Sequence, residues 1–232
     1  MNEDTLIAVC AYAGDAHQVI NALPLYLHHE CPVVVFSPTN SPADVRYPGV
    51  EREFIGAAAY IGELSLMRQI WNLQALLRHP QNYFLLHDSD SFCLSPAIPW
   101  ELYTLSEKTI WSNEITEPRP HASPYPKLAF QPPYFLSRRV IEQMLSVADN
   151  FTNHPITPYI DWAMNCWSAE AGLSHRSFSA LEHTPYTENP CVSDDPWETL
   201  RYRIRYMGAT MMHPIKTPEQ IKLCTEAYAK KS

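Results

Sequence analysis

The sequence YFLLHDSD occupies residues 83–90, where four apolar residues run directly into a polar end that carries two aspartates. An apolar run of this length predicts a short, fully buried strand of a parallel sheet. Parallel α/β sheets bind ligands at the carboxyl ends of their strands, and Asp88 and Asp90 stand at such an end. Two carboxylates this close can share a hard divalent cation through oxygen ligands. A solvated turn is the alternative interpretation, because Asp and Ser are common turn residues.

The residues before this strand predict a strand–helix–strand unit and a long helix. Residues 6–11 form an apolar run that ends in a turn, and a second apolar run follows at 33–36. Between them, Asp15 with Gln18 three residues later has the pattern of a helix N-cap, and the helix is expected to be interrupted near Pro24. In residues 62–79, apolar side chains recur every three or four residues, which places them on one face of a predicted helix. The order predicts a parallel α/β sheet.

Helix start and stop signals continue through the second half of the chain. Ser137 is expected to start one helix and Thr157-Pro158 another, which ends before Gly172. Residues 217–220 read TPEQ, a further N-cap pattern. The chain has no internal repeat and no low-complexity segment. We therefore expect a single α/β domain over 1–232, with a mostly parallel central sheet flanked by helices.

Composition limits the classes of protein to which the chain can belong. Its 232 residues carry 17 basic and 25 acidic side chains, a formal charge of −8, so a general nucleic-acid binder is excluded. The longest apolar runs, such as 32–36, are too short to cross a bilayer. The first residues are acidic where a signal peptide is basic, so we expect a cytoplasmic protein. Six cysteines without a C-x-x-C pair are expected to be free thiols.

Four segments, in order along nearly the whole chain, resemble glycosyltransferases of the GT-A fold. The first is the D-x-D motif at 88–90. Residues 134–140, YFLSRRV, resemble the GYVLSRDLV segment of fringe-like and β-1,3-glycosyltransferases. Residues 159–164, YIDWAM, with Gly172-Leu173 downstream, resemble the EDVxxG helix of these enzymes. Residues 212–216, MHPIK, resemble the C-terminal histidine segment that returns to the metal.

The chain also departs from this family at three points. Residues 131–133 read QPP where the relatives carry glycines, so the loop on the acceptor side must have another shape. Ile160 replaces the acidic residue that precedes Asp161 in the family motif. We also expect no transmembrane anchor like that of the Golgi relatives, because the longest apolar runs are short; this pattern resembles soluble bacterial or viral members.

The resemblance implies a single GT-A, Rossmann-like domain with a cation site for Mn²⁺ or Mg²⁺. Asp88, Asp90 and His213 would be the protein ligands, and imidazole suits manganese. Ser89 and Lys216 would contact the donor, with the lysine meeting the diphosphate as a point charge. The alternatives are a buried structural histidine at 213 and a solvated lysine at 216.

The resemblance also places the nucleotide of a sugar donor against the end of the first strand. Six residues would line it: Ala11, Tyr12, Ala13, Asp15, Ser37 and Arg68. Tyr12 would stack on the base or simply pack at the strand end. Arg68 would face the nucleotide or phosphate, or lie on the surface. Ser37 would reach the ribose.

The acceptor side centres on Asp161. Inversion at the anomeric carbon needs a carboxylate that takes the proton of the attacking hydroxyl, and the resemblance gives this role to Asp161. From its spacing alone, Asp161 is a charge placed favourably against a helix dipole. Trp111 and Trp162 are expected to stack on sugar faces, and Gln131 is expected in the acceptor loop. A retaining mechanism stays open.

These features together predict transfer of a sugar from a nucleoside diphosphate sugar to a hydroxyl acceptor, with a UDP-sugar as the expected donor. The acceptor would be a glycan or a lipid-linked or protein-linked sugar. A sugar nucleotidyltransferase is one alternative, although the loop at 11–15 holds one glycine and no basic residue where that class carries a glycine-rich, basic loop. A catalytically silent carbohydrate-binding protein of the same fold is the other.

Overall fold

A seven-stranded sheet with helices on both faces forms the centre of the molecule. The computed structural model describes residues 3–57, 63–93, 100–115, 129–150, 160–178, 211–212 and 217–229. The strands are β1 (Thr5–Cys10), β2 (Val33–Ser37), β3 (Val50–Phe54), β4 (Tyr83–Asp88), β5 (Phe92–Cys93), β6 (Thr109–Ile115), β7 (Ala129–Ser137), β8 (Ser174–Ser177) and β9 (Met211–Met212). The helices are α1 (Ala16–Leu27), α2 (Glu63–Leu76), α3 (Trp100–Leu105), α4 (Arg138–Leu145), α5 (Ile160–Glu170) and α6 (Pro218–Ala229).

The strand order explains where a ligand can bind. The large sheet runs β3-β2-β1-β4-β7-β6-β8, and its first four strands are parallel. Only β7 runs antiparallel to its neighbours β4 and β6. The chain builds outward from β1 to β2 and β3, then crosses to β4 on the other side of β1. This reversal makes a crevice at the carboxyl ends of β1 and β4. The predicted α/β class with a mostly parallel sheet is confirmed.

Strict alternation along the strands builds two cores, one on each face of the sheet. Ile7 and Val9 of β1 face α1 and α6, whereas Leu6 and Ala8 face α2, α4 and α5. Because both faces are covered, the strands are apolar at nearly every position. Each fully buried Leu, Ile or Val stabilises the fold by about 1.5–3 kcal/mol.

Several helix ends agree with the sequence signals. The Ser137 hydroxyl accepts a hydrogen bond from the Val140 amide at 3.3 Å and caps α4. Thr217 and Gln220 form a reciprocal capping box at the start of α6, with bonds of 3.0 and 3.2 Å. Gly172 follows α5 with φ +69°, the left-handed conformation that favours glycine.

Helix α1 differs from the expectation at both its start and its middle. It runs unbroken through Pro24, so the predicted interruption there is wrong. Leu23, Leu25 and Tyr26 around the proline are all buried, and their packing outweighs the loss of one amide donor. Asp15 precedes α1, but its side chain makes no capping hydrogen bond to the helix. Among the described residues, no helix is both long and apolar enough to cross a bilayer.

Candidate functional site

The crevice at the sheet's switch point brings the D-x-D motif beside the end of β1. Asp88 is the last residue of β4, and its backbone pairs with Cys10, the last residue of β1. The Ser91 amide donates to the Asp88 carbonyl at 3.1 Å, which closes a four-residue turn around Ser89 and Asp90. The two predicted carboxylates therefore lie in one tight turn at the carboxyl edge of the sheet.

Asp15 joins this turn to the end of β1. Its carboxylate oxygen Oδ2 accepts hydrogen bonds from the Tyr12 amide and the Ser89 hydroxyl, each at 3.0 Å. One residue cannot hold these groups and cap α1 with the same oxygen, which explains why the predicted cap is missing. The Gln18 side-chain amide donates to the Ser89 carbonyl at 3.0 Å. Asp15 and Ser89, both predicted to contact the donor, are thus brought together.

Arg68 of α2 reaches the same crevice from the opposite face of the sheet. Its guanidinium donates to the Tyr12 hydroxyl, lies over the Tyr12 ring and is 3.9 Å from Asp88 Oδ1. Burial lowers the pKa of Arg68, but Asp88, Cys10 and Tyr12 outweigh this effect and raise it above its usual value. Burial raises the pKa of the Tyr12 hydroxyl, so the phenol is neutral and can accept the hydrogen bond. Among the residues that the structure describes, Arg68 is therefore the permanent cation of the crevice.

A narrow cleft lies between the ends of β1 and β2 and helix α2. Its lining residues are Cys10, Ala11, Tyr12, Phe36, Ser37, Pro38, Ile55, Arg68 and Asn72. Its free volume of about 10 Å³ is about the space of one water molecule, so a nucleotide base enters only when the lining side chains move apart. Burial raises the pKa of the Cys10 thiol to about 12, which makes it an inert wall.

Ser37 lines the cleft, but its hydroxyl serves the protein itself. It donates to the Ala11 carbonyl at 3.1 Å and accepts from the Ala43 amide at 3.2 Å, and Ser37 is only 2% exposed. These bonds fold the loop after β2 against the end of β1, where Ala13 also donates to the Ser41 carbonyl at 3.1 Å. In this conformation Ser37 does not present its hydroxyl to a ribose, contrary to the expectation.

Trp111 lies in the core and not at a sugar-binding surface. It is 1% exposed and belongs to the apolar cluster that contains Phe135 and Phe178. Trp111 and its neighbour Ile110 belong to the apolar clusters on opposite faces of the sheet, so both faces of β6 are covered here. The prediction that Trp111 stacks on a sugar is therefore wrong.

The topology brings the backbone of two further predicted residues to this edge. Leu86 of β4 pairs with Tyr134, so the beginning of β7, including Gln131, extends past the end of β4. Helix α5 leads directly into β8, which is parallel to β6, so its first turn, with Asp161, begins at the carboxyl edge. The side chains of Gln131, Asp161 and Trp162 lie outside the described part of the structure.

The segment before His213 also returns to the D-x-D turn. Met212 of β9 pairs with Phe92 of β5, directly after the turn. His213 and Lys216 themselves lie outside the described residues. Within the described ranges, no three His, Cys, Asp or Glu side chains form a group able to hold a metal ion. Two carboxylates in one turn suit a hard cation, and any third protein ligand would have to come from outside the described residues.

One polar residue of β4 was not singled out from the sequence. His87 is 1% exposed, and its Nδ1 lies 2.8 Å from the Ser91 carbonyl. Burial lowers the pKa of His87 to about 3, so the ring is neutral at physiological pH. The available signal was a single polar side chain inside the otherwise apolar run 83–87.

Comparison with known proteins supports the fold and goes no further. No protein-family model and no curated protein matches the chain. The fold is shared with 178 solved chains. One is the crystal structure of a glycosyltransferase involved in the glycosylation of the major capsid of PBCV-1. That match has a TM-score of 0.51 and 14% identity, and it covers 94% of this chain and 98% of that chain.

Proposed function

We propose that this protein is a glycosyltransferase that moves a sugar from a nucleoside diphosphate sugar to a hydroxyl acceptor. The observation that carries the proposal is the meeting of the D-x-D turn, Tyr12 and the charged Arg68 at the switch point of the sheet. A fold shared with a glycosyltransferase over nearly the full length of both chains supports the same function.

The cleft beside Tyr12 would receive the nucleoside end of the donor. Its walls are mostly apolar, which suits a flat base, and the Tyr12 ring already holds a cation above one face. The Asn72 amide donates to Cys10 Sγ at 3.3 Å and to Gln69 Oε1 at 3.2 Å, so the base of the cleft is preorganised. We propose uridine as the nucleoside, since a pyrimidine is the smaller class of base and needs the least widening of this narrow cleft.

The diphosphate would then lie toward the D-x-D turn. Asp88 and Asp90, with His213, would hold Mn²⁺ or Mg²⁺, which supplies charge neutralisation for the leaving diphosphate. Arg68 keeps its charge at every physiological pH and lies 3.9 Å from Asp88, so its guanidinium can donate to phosphate oxygens beside that site. Lys216 would add a second cation from the segment after β9.

The acceptor would enter from the side of β7 and α5. Asp161, in the first turn of α5, would accept the proton of the attacking hydroxyl, which makes the reaction inverting. Gln131 and Trp162 would contact the acceptor or the transferred sugar. The acceptor class that we propose is a glycan or a sugar carried by a lipid or protein.

The direct test is calorimetric titration of UDP into the protein with Mn²⁺ and then with EDTA. We expect binding that requires the metal and that is lost in Asp90→Asn. Asp149→Asn, which changes another aspartate in a short helical turn, is the matched control and should bind as the wild type does. Binding of GDP in place of UDP would keep the reaction and change the donor. Absence of any metal-dependent nucleotide binding would refute the proposal.

Turnover separates an enzyme from a silent binding protein. Wild-type protein should hydrolyse or transfer the sugar of the donor that it binds. Asp161→Asn should lower transfer by about 10²–10⁴-fold while nucleotide affinity stays within about twofold. Binding without any turnover would favour a catalytically silent module of this fold.

A further inference from the structure

The D-x-D turn has a second side, which faces α1 and is built from neutral groups. Successive residues of a strand point to opposite faces of a sheet, so Asp88 faces Arg68 of α2 and His87 faces α1. The His87 ring packs edge-on against the Tyr26 ring of α1, with centroids 5.2 Å apart. Both side chains are 1% exposed.

Their polar atoms converge on Ser91, the residue that closes the turn. His87 Nδ1 lies 2.8 Å from the Ser91 carbonyl oxygen and 3.2 Å from its hydroxyl. A carbonyl oxygen only accepts, so the proton of the neutral ring must be on Nδ1. The Tyr26 hydroxyl donates to the same carbonyl at 3.2 Å. Ser91 in turn donates its amide and its hydroxyl to the Asp88 carbonyl, each at 3.1 Å.

Helix α1 therefore holds the turn at both ends. Near its beginning, Asp15 and Gln18 bind the hydroxyl and the carbonyl of Ser89. Near its end, Tyr26 binds Ser91 together with His87. Asp90 lies between these two anchored residues, and Asp88 carries the carbonyl on which Ser91 closes. The backbone that carries both carboxylates is thus held by the contacts of Ser89 and Ser91.

The identity of residue 87 supports a positioning role. An apolar side chain would pack in this place without burying any polar atom. His87 instead buries Nε2, which has no hydrogen-bond partner among the described residues. A buried polar atom without a partner is unfavourable. The hydrogen bond made by Nδ1 must therefore compensate for the free energy lost by burying Nε2.

We propose that His87, Tyr26 and Ser91 form a positioning clamp that fixes the D-x-D turn for cation binding. This inference rests on the proposed function for what the turn binds. The clamp also directs the chain out of the turn into β5, which pairs with β9. It thereby sets the distance between the two aspartates and the segment that precedes His213, the third predicted ligand.

Four variants test the clamp. His87→Phe keeps a ring of similar size and removes the donor. His87→Asn places an amide N–H near the position of Nδ1 and should restore the bond. Tyr26→Phe removes the weaker donor. His175→Phe is the matched control, because His175 is also shielded and bonded to a serine, Ser112 at 2.8 Å. It lies on β8, three strands away from β4, and is half-buried.

The first measurement is hydrogen exchange of the Ser91 amide by NMR, which does not depend on metal or nucleotide. His87→Phe should increase its exchange rate about tenfold or more, Tyr26→Phe should increase it severalfold, and His87→Asn should stay near wild type. His175→Phe should leave it unchanged. Equal exchange rates in His87→Phe and wild type, or no rescue by His87→Asn, would overturn the clamp.

The second measurement is Mn²⁺ affinity in the presence of UDP, followed by the EPR signal of free Mn²⁺. Loss of a group that orients a ligand typically lowers metal affinity about 10–100-fold, and we expect this for His87→Phe with recovery in His87→Asn. Unchanged affinity in His87→Phe would contradict the positioning role. If wild-type protein binds no Mn²⁺, the proposed function fails, whereas the exchange data still decide whether the clamp holds the turn.

The tautomer of His87 provides a test on the unaltered protein. Nitrogen chemical shifts of the ring should show the proton on Nδ1. A proton on Nε2 would overturn the clamp even if every His87 variant failed to fold, because Nδ1 could then not donate to the Ser91 carbonyl.

Discussion

Two arginines lie at opposite ends of the strands, one at the amino edge of the sheet and one at the carboxyl edge, and they are held in different ways. Arg138, at the amino end of β4, donates to the backbone carbonyls of Leu77, His79 and Gln81 beyond the end of α2. Arg68, at the carboxyl end, contacts only a neutral phenol and, at 3.9 Å, one carboxylate oxygen, and its Nε is buried without a partner among the described residues.

The difference separates a stabilising charge from one that is available to a ligand. The bonds of Arg138 satisfy carbonyl groups that a helix end leaves without donors. Arg68 is also partly removed from water, but it has fewer protein partners than Arg138. This arrangement is unfavourable unless a further anion binds the guanidinium. A phosphate group would do so. We therefore expect the amino edge to contribute to stability and the carboxyl edge to bind the ligand.

The largest expected effect is the loss of stability at low pH, because acid should protonate a shielded histidine on each side of the sheet. Burial lowers the pKa of His87 and of His175 to about 3, whereas an unfolded histidine titrates near 6.5. Between these values the unfolded chain binds more protons, so stability is fully present above about pH 6.5 and falls as the pH drops toward 3. Each histidine should cost about 1.4 kcal/mol per pH unit and on the order of 4 kcal/mol in total.

Urea unfolding at a series of pH values measures this slope. His175→Phe should reduce the slope by about 1.4 kcal/mol per pH unit, since one of the two groups is gone. Its nucleotide binding at pH 7.5 should match wild type, because His175 lies away from the crevice. A slope that His175→Phe leaves unchanged would mean that this imidazole is not a source of acid sensitivity.

Arg138→Met should show the next largest effect and should act on stability alone. It removes the donors to three backbone carbonyls. Hydrogen bonds with a charged group contribute about 1.5–3 kcal/mol each, and water can replace part of this at the half-buried Arg138. We expect a loss of about 3 kcal/mol and a fall in Tm of about 6–10 °C, measured by thermal unfolding. UDP affinity of the folded variant should be unchanged. A large loss of UDP affinity would contradict the expectation that the amino edge contributes to stability alone.

Arg68→Met should show the converse behaviour. We expect UDP affinity in Mn²⁺ to fall about 30-fold, equal to about 2 kcal/mol, while unfolding free energy changes by less than about 1 kcal/mol. The small stability effect follows from the partly desolvated charge that the substitution removes. Arg68→Lys keeps a charge without the planar donor geometry and should recover only part of the affinity. Loss of stability with full affinity would show that Arg68 is structural.

The fold was predictable because its signals are local and repeated. The apolar runs at 6–11, 33–36 and 83–86 each give a buried strand, and the start and stop signals at Ser137, Gly172 and Thr217 reflect local hydrogen-bond or backbone geometry. Even so, Pro24 does not break α1, because buried neighbours on both sides hold the helix in place.

The site was predictable only in part, because contacts across the fold decide the role of a side chain. The sequence pattern places Asp88 and Asp90 at a strand end, and the sheet order places them beside β1. Whether Asp15 caps a helix or bonds to Ser89, 74 residues away, depends on the packing of α1 against β4. Trp111 was expected to contact sugar, but Phe135 and Phe178, which are distant in sequence, belong to the same apolar cluster and its ring is buried.

Arg139 tests whether a positive charge at the amino edge is enough by itself to stabilise the fold. It follows Arg138 directly, yet its side chain is 62% exposed and lies 3.5 Å from Glu107, which is 77% exposed. Exposed ion pairs contribute about 0–1 kcal/mol, so Arg139→Ala should change the unfolding free energy by less than about 0.5 kcal/mol and should leave UDP affinity unchanged. Thermal unfolding and calorimetry on the neighbouring pair of variants at 138 and 139 make the comparison within one turn of α4. Equal destabilisation by the two would mean that net positive charge near the helix, rather than the carbonyl bonds of Arg138, stabilises the amino edge.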